Sequence, residues 1–425
     1  MFKKTMIALM LGACVAGFAQ NKEAVPEQPG DSVKTAADIW DKIQEQLDDR
    51  KSFLEDNLED CIAVKAYSDI GASPKSRNYV LNRTLAFEAT DFKVKQSISK
   101  TLKQTISSAM DSSNVESHGG LSAKALNGNK DLANMINAEI KKELQAQGVD
   151  VNNAEAVKKA LPRLKGLESF KKRIEITSQS YVMGVVTYAS YSTKERVALL
   201  AYSNPAQRAI AEGMITGQMK TFKPGKKIRQ LINQISRKQL ADTYGIRTMI
   251  NEKGEPTLVA FAQVPVVGSD DAAEEDAQDT AAAMIREFVG TAVALKKATE
   301  RGRTVAMVQH DEETDAKAIA SASSEMKKEA KAEAASMAIS GITPSKSGIL
   351  RLPSKDKVAF AVAFWTPSSA KNAAKAYRQG QRQQKAISKG ASVDGGASQT
   401  PVTPKRGTKR IDAGSVGEGA VFDAF

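Results

Sequence analysis

Apolar and polar positions along the chain fall into alternating blocks of helical and strand character. Ile39, Ile43, Leu47, Leu54 and Leu58 recur at spacings of four and seven, predicting an amphipathic helix from about residue 34 whose apolar stripe needs a partner surface. Residues 61–67 read as a strand, and Ser73-Pro74 breaks the chain before a long helix over 77–110 carrying Leu81, Leu85, Ala89, Phe92, Leu102 and Ile106. Leu132, Met135, Ile136, Ile140 and Leu144 predict a helix stopped near Gly148, with a shorter one over 154–161.

The character then changes. Residues 174–191 are rich in Val, Tyr, Ser and Thr, and 196–202 form a second strand-like run after a polar turn, so a hairpin is expected. Asn204-Pro205 opens a helix, and Ile228, Leu231, Ile232, Ile235 and Leu240 predict another over 226–244, stopped by Gly245. Residues 247–250 and 257–264 flank a polar tip at 251–255, a second hairpin signal. An acidic run at 270–279 precedes the apolar-periodic 281–298, where negative charge suits a helix start. Residues 316–340 are helical by propensity, 349–352 and 358–365 make a third hairpin, and Pro367 opens a helix that fades near Lys389.

The run Val197-Ala198-Leu199-Leu200-Ala201-Tyr202-Ser203-Asn204-Pro205 resembles Ala359-Phe360-Ala361-Val362-Ala363-Phe364-Trp365-Thr366-Pro367, each a strand with an aromatic end and a proline that opens a helix. The upstream elements correspond as well. An α+β fold of two tandem duplicated domains is therefore expected, 34–220 and 226–388, each reading helix, strand, long helix, strand, strand, helix around an insertion. Residues 389–425, rich in Gly, Ser, Pro and basic side chains, are expected to form a disordered tail.

Residues 1–19 read as a secretory signal peptide: Lys3 and Lys4 precede a short apolar run over 5–15, and Gly17-Phe18-Ala19 offers a cut that leaves Gln20 as the new terminus. Leu11-Gly12-Ala13-Cys14 is the competing reading, a lipobox that acylates Cys14. The polar, proline-bearing 20–33 is a linker. The mature chain is expected in the periplasm or secreted, or anchored through Cys14. Neither route leaves Cys61 a partner thiol, so no internal disulfide framework is expected.

The net charge of +12 changes meaning when divided along the chain. Two lysines lie in the signal, and the stretch from Lys371 to Phe425 has ten basic and four acidic residues, leaving about +4 for the body. That body is blocky. The stretch from Arg163 to Lys238 holds fifteen basic and four acidic residues, and that from Asp38 to Asp60 holds nine acidic and three basic. The blocks either face each other or offer a basic surface to an anionic polymer, polysaccharide or lipid headgroup.

The strand Ala63-Val64-Lys65-Ala66-Tyr67, the helix over 77–102 and the strand over 197–202 together resemble the small lipoproteins of bacterial envelopes and the amino-terminal part of flagellar assembly T proteins. The resemblance covers about a third of the chain and implies a non-catalytic envelope role, with no site residues to carry over.

Candidate chemistry is sparse. Ser97-Ile98-Ser99-Lys100, Tyr202-Ser203-Asn204 and Lys346-Ser347-Gly348 mimic in order the three motifs of penicillin-binding enzymes, where the first serine is the nucleophile. The stretches from Ser324 to Lys327 and from Ser368 to Lys371 fit the first pattern too, which marks it as cheap in a Ser/Lys-rich chain. His118 and His310 are the two histidines, and neither has a second His or Cys at ligand spacing; the acidic run from His310 to Asp315 lacks the glycine of a calcium loop. Lys223-Pro224-Gly225-Lys226-Lys227 is a basic turn lacking the leading glycine and terminal Ser/Thr of a phosphate loop. Aromatics make up 5% and none interleaves with the basic tail, so nucleic acid is a poor partner. The tail segment from Pro404 to Arg410 either solubilises or docks on an anionic surface, and Val421-Phe422-Asp423-Ala424-Phe425 has the form of a strand that adds to a partner's sheet edge.

The expected function is that of a non-catalytic envelope scaffold or adaptor touching an anionic polymer, lipid or protein partner, with no cofactor, no metal and no catalytic residues. The alternatives are a secreted serine-dependent hydrolase or acyl transferase, and a periplasmic carrier of a small apolar ligand.

Overall fold

A computed structural model describes residues 36–111, 126, 130–168, 170–171, 174, 184–300, 339–352, 356–388 and 417–418. The expected signal (1–19) and linker (20–33) lie outside these residues, as do 316–338. Helix α1 (Ala36–Asn57) starts in one unit, Met1–Glu45, and runs into the other, Gln46–Phe425, to which the sheets and the remaining helices belong.

Strand β1 (Ile62–Asp69) is followed by the long helix α2 (Tyr79–Asp111), then by α3 (Lys130–Ala146) and α4 (Ala154–Gly166). The hairpin of β2 (Val186–Ser192) and β3 (Arg196–Ser203) comes next, with helix α5 (Pro205–Thr216) behind it. Helices α6 (Ile228–Gln234) and α7 (Arg237–Asp242) lead into β4 (Gly245–Ile250) and β5 (Pro256–Pro265). The second long helix α8 (Asp270–Glu300) precedes β6 (Thr343–Arg351), β7 (Lys357–Trp365), α9 (Pro367–Ser388) and the two-residue β8 (Gly417–Glu418). The result is mixed helix and sheet, an α+β fold.

Two antiparallel four-stranded sheets form, ordered β1-β3-β2-β8 and β4-β5-β7-β6. In the first, α2 lies against β1 and β3 and buries Phe87, Val94, Ile98, Leu102 and Ile106. In the second, α8 lies against β5, β7 and β6 through Ala273, Ala277, Ala281, Ile285 and Phe288, a face of small residues that widens to large ones along the helix. Every position over 197–202 and 358–363 is buried, so β3 and β7 are covered on both faces. That is why both read as continuous apolar runs rather than alternations.

Both hairpins ending on these central strands carry a bulge. The β2–β3 register shifts between Thr187, opposite Ala201, and Ala189, opposite Leu200. The β6–β7 register shifts between Pro344, opposite Ala363, and Lys346, opposite Val362. Each bulge inserts one residue, Tyr188 or Ser345, into the outer strand. The helices that follow start alike: Asn204 Oδ1 accepts the Gln207 N–H at 2.9 Å and Thr366 Oγ1 accepts the Ser369 N–H at 2.9 Å, with proline in the first helical position of both.

Three expectations are corrected, and one is met. The single helix over 226–244 is two, because Ile235 is extended and Ser236 starts α7 with a reciprocal capping box to Gln239. The acidic run at 270–279 opens α8, as its place before the apolar-periodic stretch indicated: Ser269 Oγ accepts the Ala272 N–H, and Asp270 and Asp271 occupy the first turn, where the helix dipole favours carboxylates. The third hairpin is longer than 349–352 indicated, since β6 starts at Thr343 and tolerates Pro344 on an edge strand. The tail expected to be disordered over 389–425 contributes β8, whose main chain pairs with the end of β2.

Candidate anion-facing surface

Between Glu212 and Asp242 the chain has seven basic residues and no acidic one. The structure turns the middle of that stretch into an exposed loop. Helix α5 ends at Gly217, whose N–H donates to the Gly213 carbonyl, and residues 220–227 are exposed apart from their main-chain anchors. Lys220, Lys223, Lys226, Lys227 and, at the start of α6, Arg229 all face solvent. Phe222 and Ile215 are 37% and 50% exposed, so apolar surface lies within the same basic stretch.

The loop is held rather than loose. The Phe222 N–H donates to the Gly254 carbonyl and the Gly225 N–H to the Asn251 carbonyl, both at 2.8 Å, stitching the loop to the β4–β5 hairpin. The approach needs glycine on both sides: a Cβ on Gly225 would stand 2.2 Å from the Ile250 carbonyl oxygen, and one on Gly254 2.2 Å from that of Phe222, with Gly254 also at φ +74°. Asn251, itself buried, fixes the hairpin tip by accepting the Lys253 and Glu255 N–H groups on its Oδ1 and donating Nδ2 to Glu255. Glu255 also accepts from the Ser368 hydroxyl at the start of α9, which draws its carboxylate toward the body.

Behind this face the two sheets meet through a buried polar network. Arg83 on α2 donates to Gln263 Oε1 at 2.6 Å, to Ser192 Oγ at 3.1 Å, to the Ala241 carbonyl at 2.6 Å and to Asp242 Oδ1 at 3.1 Å. Gln263 in turn donates to the carbonyls of Leu240, Ala241 and Thr243. The Arg83 guanidinium lies 4.9 Å from the centroid of Phe87, which stacks on Tyr244 at 5.0 Å. Burial holds the Tyr244 hydroxyl well above its ordinary pKa. A second cluster joins Gln207 of α5 to Tyr202 of β3 and Thr248 of β4. These groups fix where α7 and β4 sit, and with them the hairpin that carries the basic loop. No local sequence pattern marks them.

The motifs weighed as acyl-transfer machinery are dispersed among structural tasks. Ser97 is half-buried in the middle of α2 and Lys100, one turn on, is exposed. Tyr202, Ser203 and Asn204 end β3, with Tyr202 bonded to Gln207 and Asn204 capping α5. Lys346 on the edge strand β6 donates to the carbonyls of Ile232 and Ile235, while Ser347 bonds Glu274 and Gln278 of α8. Ser368 serves Glu255 and Lys371 is exposed. His118, His310 with its acidic run, the stretch from Ser324 to Lys327, the tail segment from Pro404 to Arg410 and the final Val421 to Phe425 lie outside the described residues. Among the described residues no cluster of three or more His, Cys, Asp or Glu is arranged to hold a metal ion, and no helix is long and apolar enough to cross a membrane.

No protein-family model matches the chain, and no curated protein matches it. Among solved structures, a hypothetical protein from Francisella tularensis is similar at 18% identity and a TM-score of 0.44, over 80% of this chain and 93% of that one.

Proposed function

We propose that this is an exported, non-catalytic envelope protein that presents the loop over 218–229 to an anionic lipid surface and acts there as a scaffold or adaptor. The observation that carries the reading is the loop itself: five exposed cations with no acid among them, two neighbouring apolar side chains, and main-chain stitching that holds the charges in place. Basic side chains near an anionic bilayer contribute about 1 kcal/mol each, and exposed Phe222 and Ile215 suit the headgroup boundary better than a fully hydrated polysaccharide.

The body is read as a duplication. The order β1-β3-β2 matches β5-β7-β6, each trio is antiparallel, and a long helix lies between its first two members in sequence. The bulges fall at corresponding points of the central strands, before Ala201 in one and Ala363 in the other, and the caps Asn204 and Thr366 correspond. The second half adds the edge strand β4 and the short helices α6 and α7. The basic stretch leads into that added material: its loop joins α5 to α6, and Arg229, Arg237 and Lys238 lie on α6 and α7.

Export is tested by the intact mass of the protein recovered from native cells and by its fraction. A chain starting at Gln20 outside the cytoplasm, or an acylated chain starting at Cys14 in the membrane fraction, is the expected result. A chain retaining residues 1–13 in the cytosol overturns the reading.

A further inference from the structure

The edge of the first sheet is finished by a segment far downstream. Along β2, Ser190 is engaged from the second half, its hydroxyl donating to the Asp242 carbonyl at 2.8 Å and accepting the Tyr244 N–H, and β4 lies against the strand. Tyr191 and Ser192 follow, 2% and 6% exposed. A strand end buried that deeply needs partners for its outward main chain, because an unpaired buried N–H or C=O costs about as much as a lost hydrogen bond. Glu418 stands opposite Tyr191 and Gly417 opposite Ser192, antiparallel, and β8 also lies against α7.

We infer that the end of β2, beside α7, is a strand-accepting site whose occupant is residues 417–418 of the same molecule. Three observations converge on it. The pairing falls at the part of β2 that follows Ser190, beyond the bonds of its hydroxyl to the Asp242 carbonyl and the Tyr244 N–H. The acceptor is rigid, since the Ser192 hydroxyl is fixed by Asp242 Oδ1 at 2.7 Å and by Arg83 at 3.1 Å, and Arg50 lies 5.5 Å over the Tyr191 ring. The occupant supplies extended main chain, with Gly417 opposite Ser192 and Glu418 opposite Tyr191. Ser388 and Gly417 are separated by twenty-eight residues in the sequence. Occupied in this way, the edge is withheld from strands of other chains, and the buried Arg83–Asp242 pair gains a cover.

Hydrogen exchange on the full chain tests the site. Replacing Gly417→Pro and Glu418→Pro together removes two main-chain donors without touching the core. The Thr193 N–H donates to the Arg196 carbonyl on the β3 side, so by strand alternation the Tyr191 amide faces β3 and the Ser192 amide faces β8. The Ser192 amide is then expected to exchange about tenfold faster or more, while that of Tyr191 and those of β3 are unchanged. In the unaltered protein the protection of the Ser192 amide is expected to survive a roughly hundredfold dilution. Unchanged exchange in the proline variant overturns the site; protection that fades on dilution overturns the intramolecular occupant and assigns the strand to a second copy.

Discussion

Arg83 and Asp242 form a buried ion pair at 3.1 Å, with side chains only 4% and 9% exposed, joining the first long helix to the end of α7, just before the second sheet begins. The pair is embedded: Arg83 makes three further hydrogen bonds to Gln263, Ser192 and the Ala241 carbonyl, and Asp242 accepts from Ser192. Removing one member strands the other's charge in a low-dielectric interior, so Arg83→Met or Asp242→Leu alone should each cost about 3–5 kcal/mol in urea unfolding. The double variant should cost clearly less than the sum, because no uncompensated charge remains. Additive losses would mean that the two residues do not form a pair.

The two corresponding helix starts make a paired prediction. Asn204→Ala and Thr366→Ala each delete the side-chain acceptor of a first-turn N–H, at an expected cost of about 1–2 kcal/mol. Glycine at either position should recover most of that loss, and denaturation midpoints measure both effects. A near-zero effect at one site and a large one at the other would contradict the equivalence on which the duplication reading leans.

Cys61 gives the chain an alkaline signature. Burial first, and the Glu55 carboxylate second, push its thiol from about 9 up to about 12. A raised acid pKa means that the folded state holds the proton more tightly. The stability it contributes is therefore complete below about pH 9 and is lost as pH rises through about 12. The difference in unfolding free energy between the unaltered protein and Cys61→Ala should shrink over that window. Iodoacetamide near pH 8 should label Cys61 about a hundredfold or more slowly than it labels the unfolded chain; equal rates would refute the burial argument.

Gly254 tests whether the basic loop works because it is anchored. Gly254→Ala places a Cβ against the Phe222 carbonyl and opposes a positive φ, with an expected cost of about 1–3 kcal/mol. Hydrogen exchange should rise at Phe222 and Gly225 while β7 stays protected. Binding to anionic vesicles should weaken even though every lysine is retained.

Legibility in the sequence followed the range over which each signal acts. The β4–β5 hairpin was readable because Asn251 and Gly254 set the tip locally, and β3 and β7 because burial on both faces leaves an unbroken apolar run. The division of 226–244 was masked by Ile232, Ile235 and Leu240, whose apolar spacing carries across the break; the capping pair Ser236 and Gln239 was the signal that marked it. Arg83 and Asp242 lie 159 residues apart and neither is unusual in its own neighbourhood, so only the folded chain reveals the pair. Gly417 and Glu418 have little strand propensity, and their pairing is imposed by the edge they meet. The basic block was visible as composition, but its exposure and its stitching to Gly254 and Asn251 were not.

The central claim is that the loop over 218–229 meets an anionic lipid surface, and co-sedimentation of the full chain with phospholipid vesicles tests it most directly. The unaltered protein should pellet with phosphatidylglycerol-containing vesicles at low salt, and should leave neutral phosphatidylcholine vesicles and high-salt samples in solution. Lys220→Glu/Lys223→Glu/Lys227→Glu, all on exposed positions, should keep its denaturation midpoint and lose about two orders of magnitude in affinity. Equal binding by the unaltered and triple-variant proteins, or no preference for the anionic vesicles, would contradict the account.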